Sequence, residues 1–171
     1  MTNETATAYP GISALVHKHL GKIPFAPSKT RTDANIDVAP EHLLELVEGL
    51  KVRRELAFDY LRNIVAIDMQ DAGLACKYQF YSFKHRHAIQ VSVLTPPGNP
   101  HLPSLCGLYE AANWHEREAA EMVGLVFDGH PDPRNLLLDE DVAIHPLLKA
   151  HPLQKVEILQ GIEDTSAGFK F

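Results

Sequence analysis

Two runs of alternating apolar residues constrain this chain more than any other feature. The first carries Leu74, Cys76, Tyr78 and Phe80 at every second position, and the second carries Ala88, Ile89, Val91 and Val93. Successive strand side chains point to opposite faces, so this pattern buries one face of a sheet. The polar break between the runs, "FKHRHA", predicts a hairpin. Its basic "KHRH", residues 84–87, then reads as solvated charge at the hairpin tip.

Other elements gather around that hairpin. "ISALVHKHLG" places apolar residues at 12, 15, 16 and 20, the spacing of a helix, with Gly21 as its C-cap. Ala34, Ile36 and Val38 alternate in a polar setting and predict an edge strand ending at Pro40. Pro40 opens a helix whose apolar face is Leu43, Leu44, Val47 and Leu50, with Glu41 at its positive end. A short apolar run predicts a buried strand over 64–68. "TPPGNPHLP" is a loop. Ser104 is a candidate N-cap for a long helix through Val123, closed by Gly124. On that helix Leu105, Leu108, Ala112, His115, Ala119 and Met122 form one stripe. Glu110, Asn113, Arg117 and Glu121 fall on another face, with Arg117 and Glu121 spaced for an i, i+4 pair.

After Phe127 the periodicity dissolves. His-Pro recurs at 130, 145 and 151, and proline keeps the residue before it extended. Regular structure returns only near 156–159. Yet this segment holds Leu136, Leu137, Leu138, Val142, Ile144, Leu147, Leu148 and Leu153, too apolar for free disorder. Without a core of its own it must bury those side chains on something, which marks a partner interface. The chain thus reads as α+β: a small, mostly antiparallel sheet with flanking helices, then a long helix and an extended C-terminal docking tail. The predicted division is a domain over 1–127 and a partner-binding tail over 128–171.

The 171 residues suit one domain with an appendage, and 45% hydrophobic with 22% charged residues is ordinary for a globular protein. The net charge of −6 argues against nucleic acid as the main partner. Cys76 and Cys106 are too few and too far apart for an Fe–S cluster or a thiolate zinc site, and read as small apolar residues of a reduced protein. The N-terminus carries no signal-peptide pattern, and no stretch is long and apolar enough to cross a bilayer.

The charged stretch "AANWHEREAAEMVGLVFDGHPDPRNLLLDED", residues 111–141, invites a search for chemistry. His115 and Glu118 at i, i+3 resemble half of a di-iron site, but the remaining ligands of such a bundle are missing. A small metal enzyme built on His115, Glu118, His130 and Asp132 stays open as an alternative, as does a free-standing adaptor. No nucleophile elbow, phosphate loop or dinucleotide glycine pattern is present. Glu116, with Ala112, Ala119 and Ala120 at helical spacing around it, reads as a partly buried carboxylate that accepts an arginine or backbone donors. Glu118 falls between Trp114 and Met122 at a semi-apolar position.

The same stretch, followed by "HPLLKAHPL", resembles the signature of the 30-kDa subunit of respiratory complex I, the NADH dehydrogenase, and of its relatives in membrane-bound NiFe hydrogenases. Trp114, Glu116, Arg117, Glu118, Gly124, Phe127, Gly129, His130, Pro131, Asp132 and Arg134 match the family pattern. "FDYLRNIVAIDM" and "FYSFKHRHAIQVSV" resemble its strand segments, so the likeness spans roughly residues 35–155. It implies a scaffold subunit of an electron-transport and proton-translocating oxidoreductase complex. Such a subunit would have no catalytic residue, cofactor or metal of its own. Its expected partners are a NiFe-hydrogenase-like large subunit and an Fe–S small subunit. The place implied is cytoplasmic, peripheral on the inner face of the cell membrane. The expected partner-binding residues are Trp114, Glu116, Arg117, Glu118, His130, Asp132, Arg134, His145 and Leu147. His115 and Val123 stand where Tyr and Phe are usual, and Ile144, Leu148 and Ala150 where Gly, Arg and Asp are usual. Those departures, with "GHPDPRNLLLDED", point to the formate- or CO-linked energy-converting hydrogenase branch, ahead of an NADH:quinone oxidoreductase.

Overall fold

The structure, a computed structural model, describes residues 10–28, 34–139 and 142–151. The hairpin forms as the alternation requires. Strand β4, Leu74–Ser82, pairs antiparallel with β5, His87–Leu94, matching Tyr78 with Val91 and Phe80 with Ile89. Cys76, Tyr78, Phe80 and Ser82 point inward, and their neighbours in sequence are half-buried on the other face. Strand β3, Tyr60–Asp68, flanks β4 antiparallel, with a bulge between Leu61 and Asn63. It begins earlier than the apolar run suggested.

Strand β2, Ala34–Val38, is not an edge strand. It runs parallel to β5 on one side and antiparallel to β1, Phe25–Ser28, on the other, giving the order β1-β2-β5-β4-β3. The edge belongs to β1, where Pro27 suits a strand with one unpaired side. That strand is four residues long and interrupted by proline, so it leaves no alternation to read. Ala34, Asn35, Ile36 and Val38 are buried accordingly.

Helix α1, Pro10–Leu20, and helix α2, Leu43–Val52, lie where periodicity put them; a 3-10 turn at Pro40–His42 precedes the second. Leu43, Leu46, Val47 and Leu50 are fully buried, with Leu44 exposed instead of Leu46. These helices and the inward sheet face share one core with Ile36, Phe58, Tyr78, Phe80 and Val91. A second, parallel two-stranded sheet joins β6, His101–Pro103, to β7, Val126–Asp128. It brackets helix α3, Ala112–Val123, which packs over β3. The expectation of regular structure near 156–159 lies outside the described residues.

Candidate partner-docking site

Helix α3 is shorter than predicted, and Ser104 does not cap it. Residues 105–111 wind through turns, with Tyr109 N–H on the Leu105 carbonyl and Ala112 N–H on the Tyr109 carbonyl. The reason is Glu116. Its Oε1 accepts the Leu105 N–H at 2.7 Å, and its Oε2 accepts the Ser104 hydroxyl at 2.6 Å and the Cys106 thiol at 3.5 Å. Cys106 N–H in turn donates to Ser104 Oγ at 3.2 Å. The segment that looked like a first helical turn is drawn instead onto a carboxylate one face away. Glu116 has 0% exposure and sits in line with buried Ala112, Ala119 and Val123. Of the two expected partners, an arginine or backbone donors, the backbone donor is there, and among the described residues no arginine pairs with it. Burial pushes its carboxyl up, and the three donors with the nearby His130 oppose that without reversing it.

The other side of α3 carries the chain beyond β7. Glu121 lies five residues from Glu116, about 140° around the helix. Its spacing sets it on a polar face, four residues from Arg117, but it is 4% exposed and accepts backbone N–H groups. Leu136, Leu137 and Leu138 donate at 2.6, 3.0 and 2.5 Å. Burial pushes this carboxyl up, but the three N–H donors and the Arg117 charge outweigh it, and the net shift is downward. Arg117 turns away from Glu121 to donate to the carbonyls of Arg134 at 2.8 Å and Asn135 at 2.6 Å. It also stands 3.6 Å from Asp132 and 5.6 Å from the Trp114 ring centroid. Adjacent turns of the helix thus hold consecutive peptides of the tail, a cation on carbonyls and an anion on N–H groups.

Three of the last four helical carbonyls, which have no partner within a helix, are also met. Gly124 N–H takes Ala120, the His145 Nδ1–H takes Glu121 at 2.8 Å, and Leu147 N–H takes Met122 at 2.9 Å. Gly124 has φ +79°, and a Cβ there would lie 2.8 Å from the His145 ring. Glycine is therefore required twice over, by the left-handed cap and by the close approach of the tail. Lys149 N–H then reaches Asp68 at the end of β3, at 2.9 Å, and its donation helps hold that carboxyl low.

His130 ties the chain just past β7 back to the helix. Its Nδ1 accepts the Asp132 N–H at 3.0 Å, so the proton is on Nε2, which donates to the Asn113 carbonyl at 3.1 Å. Arg134 grips Asp132 through two bonds of 2.7 and 2.9 Å, and holds its carboxyl down at about 2. The residues singled out from sequence therefore divide. Arg117, His130, Asp132, Arg134 and His145 are brought together around the C-terminal segment. Glu116 faces inward, and Trp114, Glu118 and Leu147 are exposed. The metal set His115, Glu118, His130 and Asp132 is not assembled: Glu118 faces solvent and Asp132 is held by Arg134. Among the described residues, the one group spaced for a metal is Cys106, Glu116 and His130.

Sequence reasoning missed Glu121 and the turn at 104–106. Two carboxylates 140° apart can both be buried only if chain covers both sides of the helix, and the leucines at 136–138 were the signal that it does. Those leucines are only partly satisfied. Leu136, Leu138 and Leu148 are half-buried, while Leu137 is 66% and Leu147 61% exposed, with Ile144 and Trp114 also open. No described helix is long and apolar enough to cross a membrane.

Comparison with known proteins places these observations. Residues 36–157 match the family model described as the respiratory-chain NADH dehydrogenase 30 Kd subunit. The chain is 34% identical over 151 residues to the C subunit of the NADH-quinone oxidoreductase of Roseiflexus castenholzii, covering 87% of each. It is 36% identical over 130 residues to the protein of the same name from Roseiflexus strain RS-1, covering 75% of each. A chain in the structure of the membrane-bound sulfane sulfur reductase, an archaeal respiratory membrane complex, shares the fold. Its TM-score is 0.71 at 17% identity, over 93% of this chain and 95% of that one.

Proposed function

The chain belongs to the family of the respiratory-chain NADH dehydrogenase 30-kDa subunit, and from that premise we propose that it is a structural and assembly subunit of a complex I-like oxidoreductase. It has no catalytic role of its own in this reading. Its place is the peripheral arm, at the cytoplasmic face of a membrane, docked on the large subunit. The observation that carries the reading is the C-terminal segment. It is laid on α3 by backbone bonds to Arg117, Glu121 and the helix end, yet it leaves Leu137, Ile144 and Leu147 uncovered, as Trp114 on the helix itself is. A segment held to the helix through its backbone, with leucines left exposed, suits a partner that covers side chains. In this role Arg117, Asp132, Arg134 and His145 fix the shape of the surface, and Trp114 and Leu147 touch the partner. Glu118 adds charge at the rim. Glu116 has no surface to offer and acts by holding the 104–106 turn.

The parent complex we infer is of the NADH:quinone type, because the two Roseiflexus relatives carry that name at 34% and 36% identity. One observation favours the hydrogenase branch as a second reading: Ile144, Leu148 and Ala150 replace residues usual in the quinone-linked family. A large NiFe-type subunit and an Fe–S small subunit would then be the neighbours.

Deletion of residues 128–171 tests the docking. A tagged full chain, isolated from detergent-solubilised membranes of its source, is expected to bring the large subunit with it, and the truncated chain is not. Equal recovery of the large subunit by a folded truncation would overturn the reading. The recovered large subunit also decides the branch, since two CxxC pairs mark a hydrogenase type.

A further inference from the structure

We infer that Cys106, Glu116 and His130 form a three-ligand site for a borderline-soft divalent cation of the Zn²⁺ class, with a fourth position open to the adjoining cleft. One ligand atom from each lies within 4.8 Å of the other two. The set is a thiol, a carboxylate and an imidazole, the three donor types zinc combines. The Cys106 Sγ to Glu116 Oε2 separation is 3.5 Å. Tetrahedral bonds of about 2.3 Å to sulfur and 2.0 Å to oxygen put those two atoms about 3.5 Å apart. Only the imidazole has to close in.

Two further observations point to a cation. Glu116 is fully buried, and among the described residues no lysine or arginine forms an ion pair with it. Its donors are one N–H, one hydroxyl and one thiol, where a buried carboxylate ordinarily needs a countercharge. Beside it lies a cleft of about 560 Å³ lined by Cys106, Lys51, Asp59, Tyr60, Tyr109 and Glu110. Cys106 faces that cleft, so a water there can complete the coordination and the ion has a way in.

Binding is an exchange of protons and hydrogen bonds for coordination. The Cys106 thiol loses its proton to solvent, and so does Glu116 where it is protonated. Sulfur and oxygen then bind the cation instead of each other. A neutral imidazole keeps one ring proton, so His130 binds through Nδ1, giving up the Asp132 N–H, while Nε2–H stays on the Asn113 carbonyl and orients the ring. Ser104 and the Leu105 N–H stay on the carboxylate as supports. The family resemblance carries no such site, and the sequence alone separated Cys106 from His130 by 24 positions.

Titration of the metal-stripped full-length chain with Co²⁺ reads the site out. One equivalent is expected to raise a thiolate-to-cobalt charge-transfer band in the near ultraviolet, which Zn²⁺ then abolishes. Cys106→Ser, whose hydroxyl still donates to Glu116, is expected to melt as the parent does and to show no band. His130→Gln is expected to weaken binding at least tenfold. No band in the parent chain overturns the proposal. So does a band that survives in Cys106→Ser, which would assign it to Cys76. If Cys106→Ser melts early, the tenfold loss in His130→Gln decides alone.

Discussion

Glu116 and Glu121 stand on the same helix, five residues apart and almost wholly shielded from solvent, yet they are held in opposite ways. Glu121 receives three consecutive backbone N–H groups and its carboxyl is lowered. Glu116 receives one N–H, one hydroxyl and one weak thiol donor, and its carboxyl is raised. Equal exposure therefore does not mean equal cost. Glu116 lies deeper in the protein and one of its donors is a weak thiol, so burial wins there; Glu121 lies nearer the surface and its three N–H donors win. The difference also separates two tasks. Glu116 ties a turn into the domain, while Glu121 ties a second stretch of chain onto it.

The largest test of that contrast is Glu121→Ala. It removes a charged acceptor from three N–H groups at once, and charge-assisted bonds contribute about 1.5–3 kcal/mol each before water replaces them. A net loss of about 3 kcal/mol in urea unfolding is expected. Amide exchange at 136–138 and 147 should quicken to nearly unprotected rates, while β4 and β5 lose no more than the fall in global stability. Protection kept at 136–138 would erase the distinction between the two carboxylates.

Arg117→Ala is expected next, at about 2 kcal/mol, because two charged donors leave the Arg134 and Asn135 carbonyls. Its exchange signature should overlap that of Glu121→Ala, and the double variant should lose less than the sum. Strict additivity would mean that the two residues do not hold one segment.

Opposite pH responses sharpen the comparison further. The raised carboxyl of Glu116 contributes stability that is present below the unfolded carboxylate value, about 4.3, and lost as pH rises through its folded value. The lowered carboxyl of Glu121 contributes stability present above that value and lost as pH falls through its folded one. Glu116→Gln should therefore flatten the decline on the alkaline side of about pH 4.3, and Glu121→Gln should flatten the acid limb. Unfolding curves at a series of pH values check both. A Glu116→Gln variant that keeps the alkaline-side slope would contradict the assignment. The smallest effect is expected for Cys106→Ser, under about 1 kcal/mol, because a hydroxyl replaces a thiol donor to the same oxygen.

The same contrast explains what was legible in the sequence. The hairpin, both early helices and the C-cap at Gly124 follow from local periodicity and from glycine's tolerance of φ +79°. The interior place of β2 does not, because its cover is a four-residue strand with Pro27 in it. Glu116 was readable as buried because three alanines surround it at helical spacing. Glu121 was not: its partners are backbone N–H groups from a segment that carries no period of its own. Long-range backbone contacts leave no trace in side-chain spacing, and the leucine content of 136–138 showed only that cover was needed, not where it lies.

The central claim is that α3 shapes the C-terminal segment into a docking surface for a large oxidoreductase subunit. The most direct measurement is recovery of that subunit by tagged full-length chain and by Glu121→Ala, from membranes of the same cells, at matched amounts of soluble, folded bait. The account predicts stoichiometric recovery with the parent chain and at least a tenfold loss with the variant. Equal recovery by both would contradict it.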